Sequence, residues 1–449
     1  MNRRQFVLSG IAAASAFAAD RTISVTVQPD RPIGPVASDF LGLGYEISSV
    51  ARPGLLDRDN RVYVEMVRKL SPRGVIRIGG NTSDYSHYSP SGQPVSSPKG
   101  TIVNDAVLND LGGFLDATGW KLIWGLNLGT ASAAEAIAEA TAVQRAAGKN
   151  LLALEIGNEP DLFGRAKHRP PDYSYSDWLA EYRRYKKKLR AALPGIPFAG
   201  PDAAANNDWV TRFAADEGKD AVLLTHHYYR EGQNPSSTIE KLLGVDPKLQ
   251  PELDQFRDAS RSCGLPYRIC EVNSFSGGGR PGVSDTMAGA LWALDYMFTL
   301  AANGCSGVNM ETGVNQLGFI SSYSPIGDDE QGHYSARAEY FGMLAFARAA
   351  RGRMLGVQMD PDSPELKAYA TQPEAKTLLL TLINKGPAAA SFSIDTHHGG
   401  RASLRRLTAP SVDAKSGLTF GQPAGRLPVQ KGRLALEVPG YSAAVVEIR

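Results

Sequence analysis

The chain has 449 residues, more than one ordinary hydrophobic core requires, so its length predicts two domains. Lysine and arginine number 48 against 46 aspartates and glutamates, and a formal charge of +2 provides no overall field for a nucleic acid or an anionic membrane. With 43% hydrophobic residues, 46 glycines and 28 prolines, the composition indicates a packed, loop-rich globular protein and excludes a collagen-like or disordered chain.

The N-terminal segment has the features of an export signal. Arg3 and Arg4 are followed by an apolar stretch over residues 6–17 and by small alanines that suit signal peptidase. Residues 1–19 are therefore interpreted as a twin-arginine type signal peptide, and the protein is expected to reach the periplasm or the medium. A membrane anchor is the alternative, but the apolar stretch is shorter than the roughly 20 residues that a spanning helix needs.

Residues 37–350 alternate short apolar runs with longer Ala-rich amphipathic stretches, a pattern typical of βα units around a parallel sheet. Eight strands are predicted, at residues 41–46, 75–78, 122–126, 151–156, 198–200, 222–226, 267–270 and 308–310. Helices are predicted between them, for example at residues 62–69, 133–147, 178–193 and 287–302. This order predicts an α/β fold, a (β/α)8 TIM barrel, whose reactive residues lie where the strands end.

Residues 351–449 change to short alternating strands separated by Gly, Pro, Asn and Asp turns, which predicts a C-terminal β-sandwich domain. The stretch TISVTV at residues 22–27 also has strand character and precedes the first barrel strand. We expect residues 20–36 to supply an N-terminal strand to the sandwich. The helical segment around residues 339–353 is expected to pack the two domains together.

The sequence predicts no metal and no cofactor. Cys263, Cys270 and Cys305 show neither a CxxC motif nor zinc-like spacing, and no nucleotide-binding fingerprint follows a strand. His226 and His227 are adjacent, and neighbouring residues on a strand point to opposite faces, so only one of them can face the barrel interior. A nucleic acid partner is not expected either, because the chain has no long run of Lys or Arg.

Two glutamates stand at the ends of predicted strands. Glu159 follows the fourth strand in LLALEIGNEPDLFG, and Glu271 ends the seventh in YRICEVNSFSGGG. Both strand ends open at the same mouth of the barrel, so two carboxyl groups face one cavity. Retaining hydrolysis of a glycosidic bond needs such a pair about 5–5.5 Å apart, one as proton donor and one as nucleophile. A salt bridge explains either glutamate alone equally well, whereas the pair favours this chemistry.

Four motifs around these residues resemble those of a known family. RIGGNTSDYS at residues 77–86, EIGNEPDLF at 155–163, HHYY at 226–229 and ICEVNSFSGGG at 269–279 are similar to motifs of glycoside hydrolase family 79, in clan A. That family contains heparanases and bacterial β-glucuronidases. The resemblance spans nearly the whole mature chain and implies Glu159 as acid/base and Glu271 as nucleophile.

The resemblance also implies residues that bind the sugar and support the nucleophile. Asn158 would hold the sugar 2-hydroxyl, and Arg77 and Tyr228 would hydrogen-bond the nucleophile and keep it ionised. Glu46, after the first strand, and Asn127, after the third, are further candidates to bind sugar hydroxyls. A buried structural carboxylate is an almost equal interpretation of Glu46.

Recognition of a uronic acid needs hydrogen-bond donors arranged around the C5 carboxylate. The glycine run after the nucleophile can point successive N–H groups into one concavity, and the resemblance assigns this role to Gly277 and Gly278. It also implies a Tyr hydroxyl from the loop after the eighth strand, for which Tyr323 and Tyr334 are both candidates. Ser276 departs from the heparanases, which have Tyr at this position, so this wall differs in size and polarity.

The sequence therefore predicts an exo-acting, retaining β-D-glucuronidase that releases terminal glucuronic acid from glycans or glycosides through a covalent glycosyl enzyme. A β-glucosidase or another retaining β-glycosidase is the alternative that Ser276 favours. An inactive carbohydrate-binding protein on the same fold is the alternative from another class. Glu311, a third carboxylate after the eighth strand, is expected to support the pair without reacting. In each case the expected partner is a carbohydrate.

Overall fold

The computed structural model of the protein describes residues 22–93, 100–314, 320–329, 331–396 and 400–449, apart from the side chains of residues 424–426. The predicted signal peptide lies outside these residues. In chain order the strands are β1 (Ile23–Pro35), β2 (Gly42–Glu46), β3 (Val75–Gly79), β4 (His87–Tyr88), β5 (Ile102–Val103), β6 (Lys121–Leu126), β7 (Leu151–Ile156), β8 (Ala199–Ala203), β9 (Leu223–Gly232), β10 (Tyr267–Ser276), β11 (Val308–Glu311), β12 (Ile326–Asp328), β13 (Tyr334–Ala336), β14 (Arg353–Asp360), β15 (Leu366–Glu374), β16 (Thr377–Asn384), β17 (Ala390–Asp395), β18 (Gly400–Thr408), β19 (Thr419–Phe420), β20 (Ala424–Val429), β21 (Arg433–Val438) and β22 (Ser442–Ile448). The helices are α1 (Ile47–Val50), α2 (Arg61–Leu70), α3 (Asp105–Thr118), α4 (Ala133–Ala147), α5 (Phe163–Ala166), α6 (Tyr175–Ala192), α7 (Asp208–Glu217), α8 (Ile239–Leu243), α9 (Leu249–Cys263), α10 (Met287–Ala302) and α11 (Ala338–Ala349). Short 3₁₀ helices lie at Ser83–Tyr85, Gly148–Asn150 and Pro160–Leu162.

Eight parallel strands form one nearly closed barrel, with the neighbour order β7–β6–β3–β2–β11–β10–β9–β8. A single parallel bridge between Leu154 of β7 and Phe198, just before β8, joins the two ends of this order. Each barrel strand is followed along the chain by a helix, the connection that parallel neighbours require. The predicted TIM barrel is therefore confirmed.

The covering helices follow from their sequences. α4 begins after Ser132, whose hydroxyl accepts from the Glu135 N–H while the Glu135 carboxylate accepts from the Ser132 N–H, which is a capping box. Ala136, Ala140 and Val143 then recur at spacings of four and three residues, and all three are buried. Such a helix buries one face and exposes the other. Among the described helices, none is long and apolar enough to cross a membrane.

The barrel interior is apolar where the strands begin and charged where they end. Six residues from six strands form a small apolar cluster: Val75, Ile123, Ala153, Ala199, Leu223 and Cys270. Two residues further along β3 and β7, Arg77 and Glu155 lie on the same inner face, because side chains alternate along a strand. Gly79 leaves the room that Arg77 needs, since a β-carbon there would lie 2.5 Å from the guanidinium carbon.

The second large sheet has ten strands in the order β19–β18–β22–β16–β15–β14–β1–β17–β21, with β20 paired to β18. Its neighbours are antiparallel except β1 and β17, which are parallel. Leu380 of β16 and Leu436 of β21 belong to one buried core although four strands of this sheet, β15, β14, β1 and β17, lie between theirs. The sheet therefore folds over itself in two layers, as in a sandwich.

Three barrel strands differ from their predicted extents by more than one residue at one end. β9 runs to Gly232 and β10 to Ser276, several residues past the predicted ends at residues 226 and 270. The additional residues pair with each other, Tyr228 with Val272 and Gly232 with Ser276, so the two strands continue together above the barrel as a wall. β8 covers Ala199–Ala203 instead of residues 198–200.

Candidate active site

The two glutamates predicted from the sequence lie together at the mouth of the barrel. Glu159 follows β7 and precedes the 3₁₀ helix Pro160–Leu162, and its φ of +49° lies in the left-handed region that non-glycine residues seldom adopt. Glu271 lies within β10. One carboxylate oxygen of Glu159 and one of Glu271 lie within 4.8 Å of each other. Both carboxyl groups therefore face the same space.

Arg77 on β3 lies beneath the pair with its side chain fully buried. Its Nη1 donates to Glu271 Oε2 at 2.8 Å, its Nε to Glu155 Oε2 at 3.2 Å and its Nη2 to Asp202 Oδ2 at 2.6 Å. Burial, followed by the charge of Asp202, raises the pKa of Glu155 to about 7. Arg77 and Glu271, expected to be in contact, are thus brought together within a buried set of compensating charges.

His227 on β9 bridges Glu159 and Asp202. Its Nδ1 lies 3.0 Å from Glu159 Oε1, and its Nε2 lies 2.8 Å from Asp202 Oδ1. Burial lowers the pKa of His227, but the charges of Asp202 and Glu271 outweigh burial and raise this pKa well above its usual value. These charges favour the protonated form of His227, in which each ring nitrogen donates to the carboxylate that it faces.

Glu159, His227 and Glu271 also form a group of donors of the kind that can bind a metal ion. A metal ion would need a lone pair on a ring nitrogen of His227, and the charges that raise the pKa of His227 favour the form that has none. Both of its nitrogens already face carboxylates. The group is better described as a charged hydrogen-bond network around two carboxyl groups.

The tyrosine that contacts Glu271 is Tyr229, and not Tyr228 as predicted from the sequence. Tyr229 donates its hydroxyl to Glu271 Oε1 at 2.9 Å. The Tyr228 hydroxyl instead donates to Asp246 Oδ2 at 2.5 Å. Neighbouring side chains on a strand point to opposite faces, and on β9 it is His227 and Tyr229 that share the inner face.

The environments of the two glutamates differ in a way that suits separate roles. Burial raises the pKa of Glu159, the hydrogen bond from His227 lowers it, and the charge of Glu271 raises it, with a net rise above the usual value. Glu271 accepts from Arg77 on one oxygen and from Tyr229 on the other, so its carboxylate is fixed in one orientation. Glu159 therefore holds a proton readily, whereas Glu271 presents a fixed carboxylate.

Asn158 is held from two sides. Its Oδ1 accepts from Arg77 Nη2 at 2.8 Å, and its backbone N–H donates to Asp84 Oδ2 at 3.1 Å. Asp84, in the 3₁₀ helix after β3, also accepts from the N–H groups of Leu128 and Gly129, at 3.0 and 2.9 Å. Burial raises the pKa of Asp84 to about 7, although the N–H donors act in the opposite direction. Asp84 thus ties together the loops that follow the third and fourth barrel strands.

Glu46 and Glu311 add two further carboxyl groups to the cleft. Glu46 Oε2 accepts from the Thr82 hydroxyl at 2.6 Å and from the Thr82 N–H at 2.8 Å. Burial, followed by the charge of Glu271, raises the pKa of Glu46 to about 7 and raises that of Glu311 well above its usual value. Glu46 therefore anchors the loop after β3 and also borders the cleft, where its binding of a sugar hydroxyl stays a prediction.

Asn127 does not line the cleft, contrary to the prediction. Its Nδ2 donates to the Ser86 carbonyl at 2.7 Å and to Thr130 Oγ1 at 2.9 Å, and its Oδ1 accepts from the N–H groups of Thr130 and Ala131. The side chain is completely buried. Its polar atoms are therefore used to shape the loop after β6 and are not available to a sugar.

The glycine run after Glu271 reaches the cleft. Gly277 and Gly278 have φ values of +77° and +88°, and both line the cleft. Their N–H groups donate to no other group in the part of the chain that the structure describes, whereas the Gly278 carbonyl accepts from the Ser322 N–H at 2.7 Å. Successive glycines with free N–H groups at positive φ form a candidate anion-binding nest beside the nucleophile.

Of the two tyrosines considered for the uronate, Tyr323 lies in the cleft and Tyr334 does not. The Tyr323 ring lies 6.4 Å from that of Tyr229, and both rings line the cleft. Tyr334 begins β13 and packs edge-on against Tyr63, with ring centres 5.0 Å apart. It borders a separate surface depression together with Arg52. The hairpin of β12 and β13 therefore carries Tyr334 away from the site.

The residues of this site line one open cleft of about 860 Å³, a size common for small-molecule sites. Four residues that build it were not assigned to it from the sequence: Asp84, Asp202, His227 and Tyr229. Asp202, His227 and Tyr229 lie within three residues of the predicted strand ends at residues 200 and 226, and Asp84 lies five residues after β3. A position shortly after a predicted strand end, the signal that identified Glu159, could therefore have found them.

No family model matches the chain. Two curated relatives are similar to it over much of their length. A β-glucuronidase from Aspergillus niger is 24% identical over 94% of this chain and 92% of its own. A β-glucuronidase from Neurospora crassa is 24% identical over 76% of this chain and 68% of its own.

Solved structures of glycosidases have the same fold. A 4-O-α-L-rhamnosyl-β-D-glucuronidase from Fusarium oxysporum 12S matches with a TM-score of 0.76 and 18% identity, over 94% of this chain and 99% of that chain. A GH51 α-L-arabinofuranosidase from Thermotoga petrophila RKU-1 matches with a TM-score of 0.73 and 16% identity, over 95% and 100%. Together with the sequence relatives, these similarities support a glycoside hydrolase.

Proposed function

We propose that the protein is an exo-acting, retaining β-D-glucuronidase of glycoside hydrolase family 79, with Glu159 as acid/base and Glu271 as nucleophile. The observation that carries the proposal is the distance of at most 4.8 Å between their carboxylate oxygens. Retaining glycosidases hold the two groups about 5–5.5 Å apart, whereas inverting enzymes need about 6.5–9.5 Å to admit a water molecule. The names of the two fungal relatives support a glucuronide as the substrate.

In the first step, Glu271 attacks the anomeric carbon while the bond from this carbon to the glycosidic oxygen breaks. The electron pair stays on the glycosidic oxygen, which takes the proton of Glu159. Burial and the charge of Glu271 keep this proton in place beforehand, because both raise the pKa of Glu159. Once the ester has formed, the charge of Glu271 is gone and the pKa of Glu159 falls.

In the second step, Glu159 is a carboxylate and takes a proton from a water whose oxygen attacks the anomeric carbon. The bond from this carbon to Glu271 breaks and the carboxylate is released. Arg77 Nη1 and the Tyr229 hydroxyl donate to different oxygens of Glu271, so both stabilise the charge that returns. Two inversions at the same carbon give net retention.

The wall beside the nucleophile suits the C5 carboxylate of glucuronic acid. The N–H groups of Gly277 and Gly278 and the Tyr323 hydroxyl would bind this carboxylate as uncharged donors. A glucoside would leave the two N–H groups without an anion, so we expect a preference for the glucuronide. Ser276 lines the same wall and favours another retaining β-glycosidase as the second candidate.

The test is hydrolysis of 4-nitrophenyl β-D-glucuronide and of the matching β-D-glucoside by the purified protein. We expect glucuronide turnover that Glu271→Gln and Glu159→Gln each lower by several orders of magnitude. Glu139→Gln is a matched control, because Glu139 is a buried glutamate that accepts from Trp124 Nε1 and does not line the cleft. NMR of the first-formed sugar should show the β anomer.

Other outcomes would change the proposal in different ways. An α anomer as the first product would contradict the role of Glu271 as nucleophile. Preference for the glucoside would keep both glutamates but remove Gly277 and Gly278 from uronate binding. Inactivity of the folded protein on both substrates, with retained affinity for a glucuronic acid glycan, would favour the carbohydrate-binding protein.

A further inference from the structure

The segment that follows Glu159 forms the side of the cleft where a leaving group must lie. Glu159 gives its proton to the glycosidic oxygen, so the leaving group is bonded to the atom that Glu159 contacts. Phe163, Arg165 and His168 all line the cleft on this side. The chemistry of this segment therefore determines which leaving groups the cleft accepts.

Arg169 holds this segment rigidly against the barrel. Its Nε and Nη2 donate to Glu181 Oε2 at 3.1 and 2.9 Å, and its Nη2 also donates to the Leu128 carbonyl at 2.9 Å. Its guanidinium lies 5.6 Å from the centre of the Phe163 ring and 5.9 Å from that of Tyr173. Arg169 therefore holds the segment in place, and its guanidinium is not available to a ligand in the cleft.

Arg165, four residues earlier, has the opposite character. Its side chain is exposed and lines the cleft, and within the described chain no carboxylate lies within 4.0 Å of it. Glu231, another charged residue that lines the cleft, accepts from Lys241 Nζ at 2.5 Å and so is paired with a cation of its own. The cleft thus presents an unpaired cation beside its acid/base candidate.

Two rings line the same cleft as this cation. Tyr85 and His168 line the cleft with ring centres 4.8 Å apart and planes tilted by 45°. Aromatic rings of this kind present faces on which a sugar or an aryl ring packs. An unpaired guanidinium beside such rings is suited to a ring that carries an anionic group, because Arg recognises carboxylates with a fixed fork of donors.

We propose that the region formed by Tyr85, Arg165 and His168 is a leaving-group subsite for a ring that carries a carboxylate. This inference rests on the proposed function, because it assigns the side of the cleft that the departing group occupies. The carboxylate belongs either to a uronic acid next in a glycan or to an aromatic acid. In both cases Arg165 pairs with it while Glu159 protonates the glycosidic oxygen.

The test compares 4-carboxyphenyl β-D-glucuronide with 4-carbamoylphenyl β-D-glucuronide, which has an uncharged amide in place of the carboxylate. The measured quantity is the ratio of the two kcat/KM values, in the wild type and in Arg165→Gln. Comparing ratios cancels the different reactivity of the two leaving groups. We expect the ratio to fall about three- to fivefold in Arg165→Gln, as for a partly exposed ion pair, and further in Arg165→Glu.

A salt dependence and a control variant show whether the effect comes from the charge of Arg165. The difference between the wild type and Arg165→Gln should shrink at 1 M salt, where charges are screened beyond roughly 3 Å. Arg261→Gln removes a cation whose side chain is 73% exposed on α9, outside the cleft, and should keep the wild-type ratio. A ratio that stays at the wild-type value in both Arg165 variants would overturn the subsite.

Failure of the proposed function would have a different result. If the folded wild type hydrolyses neither these glucuronides nor 4-nitrophenyl β-D-glucuronide, the glucuronidase proposal falls, and the subsite falls with it. The same comparison with β-D-glucuronyl galactose and β-D-glucuronyl galacturonic acid separates the two sources of the carboxylate. A larger effect of Arg165→Gln in the sugar pair assigns the subsite to a glycan, and a larger effect in the aryl pair assigns it to an aromatic acid.

Discussion

Replacing Tyr229 by phenylalanine removes the hydroxyl that donates to Glu271 Oε1 at 2.9 Å and leaves the ring in place. In the proposed second step, Glu271 departs from the anomeric carbon as a carboxylate, and this hydrogen bond stabilises the charge. A hydrogen bond to a charged group contributes about 1.5–3 kcal/mol, which corresponds to about 10- to 150-fold in rate. We expect the kcat of Tyr229→Phe on 4-nitrophenyl β-D-glucuronide to fall within this range.

The same variant should accumulate the glycosyl enzyme, because the loss affects the second step more than the first. Rapid mixing should then show a burst of nitrophenol that approaches one equivalent per active site. Tyr228→Phe is the matched control, since its hydroxyl donates to Asp246 and not to Glu271. A kcat of Tyr229→Phe close to that of the wild type, or an equal loss in Tyr228→Phe, would refute the reasoning.

Three further predictions follow from buried polar groups. His227 lowers the pKa of Glu159 through its hydrogen bond and charge, so His227→Gln should move the basic limb of the kcat/KM profile to higher pH; a shift to lower pH would contradict this network. Burial raises the pKa of Glu139 to about 7, so the stability that this group contributes below pH ~4.5 is lost as the pH rises through about 7. Glu139→Gln should therefore flatten the pH dependence of the unfolding free energy, measured in denaturant titrations, by up to ~3 kcal/mol. Asn127→Ala should lower the unfolding free energy by about 2 kcal/mol, because it removes the bonds that hold its loop, while KM changes little; a large rise in KM would restore Asn127 to sugar binding.

The barrel was predictable because its inner and outer strand faces are both buried. Runs such as those of β3 and β7 are apolar except for one charged residue each, Arg77 and Glu155, and helices separate them along the chain. Glu159 and Glu271 were predictable as site residues because each is a charged residue at the end of a buried, mostly apolar strand, where it needs a partner or a function. Helix α4 has its predicted bounds, residues 133–147, and the capping box of Ser132 and Glu135 is the local signal that marks its start.

The sequence did not predict which tyrosine of β9 faces inward. In the run LLTHHYY, polar and apolar residues do not alternate, so the sequence does not show which side chains face the barrel interior. The polar continuation of β9 and β10 above the barrel is stabilised by pairing between the two strands, a long-range effect that local patterns do not reveal. Asn127 was wrongly assigned to the site because a polar residue at a strand end can equally well hydrogen-bond the backbone of its own loop, as Asn127 does with Thr130.

The position of β1 has a consequence for how the chain is made. β1 lies between β14 and β17, so it emerges from the ribosome more than 300 residues before the strands on either side of it. Both edges of β1 are unpaired until β14 has been synthesised, near residue 360, and the edge that pairs with β17 stays unpaired until residues near 395 have been added. An unpaired edge is a template for wrong pairing with another chain. The sandwich therefore cannot be completed during synthesis of the barrel, and a chain that stops early would keep an exposed strand at its beginning.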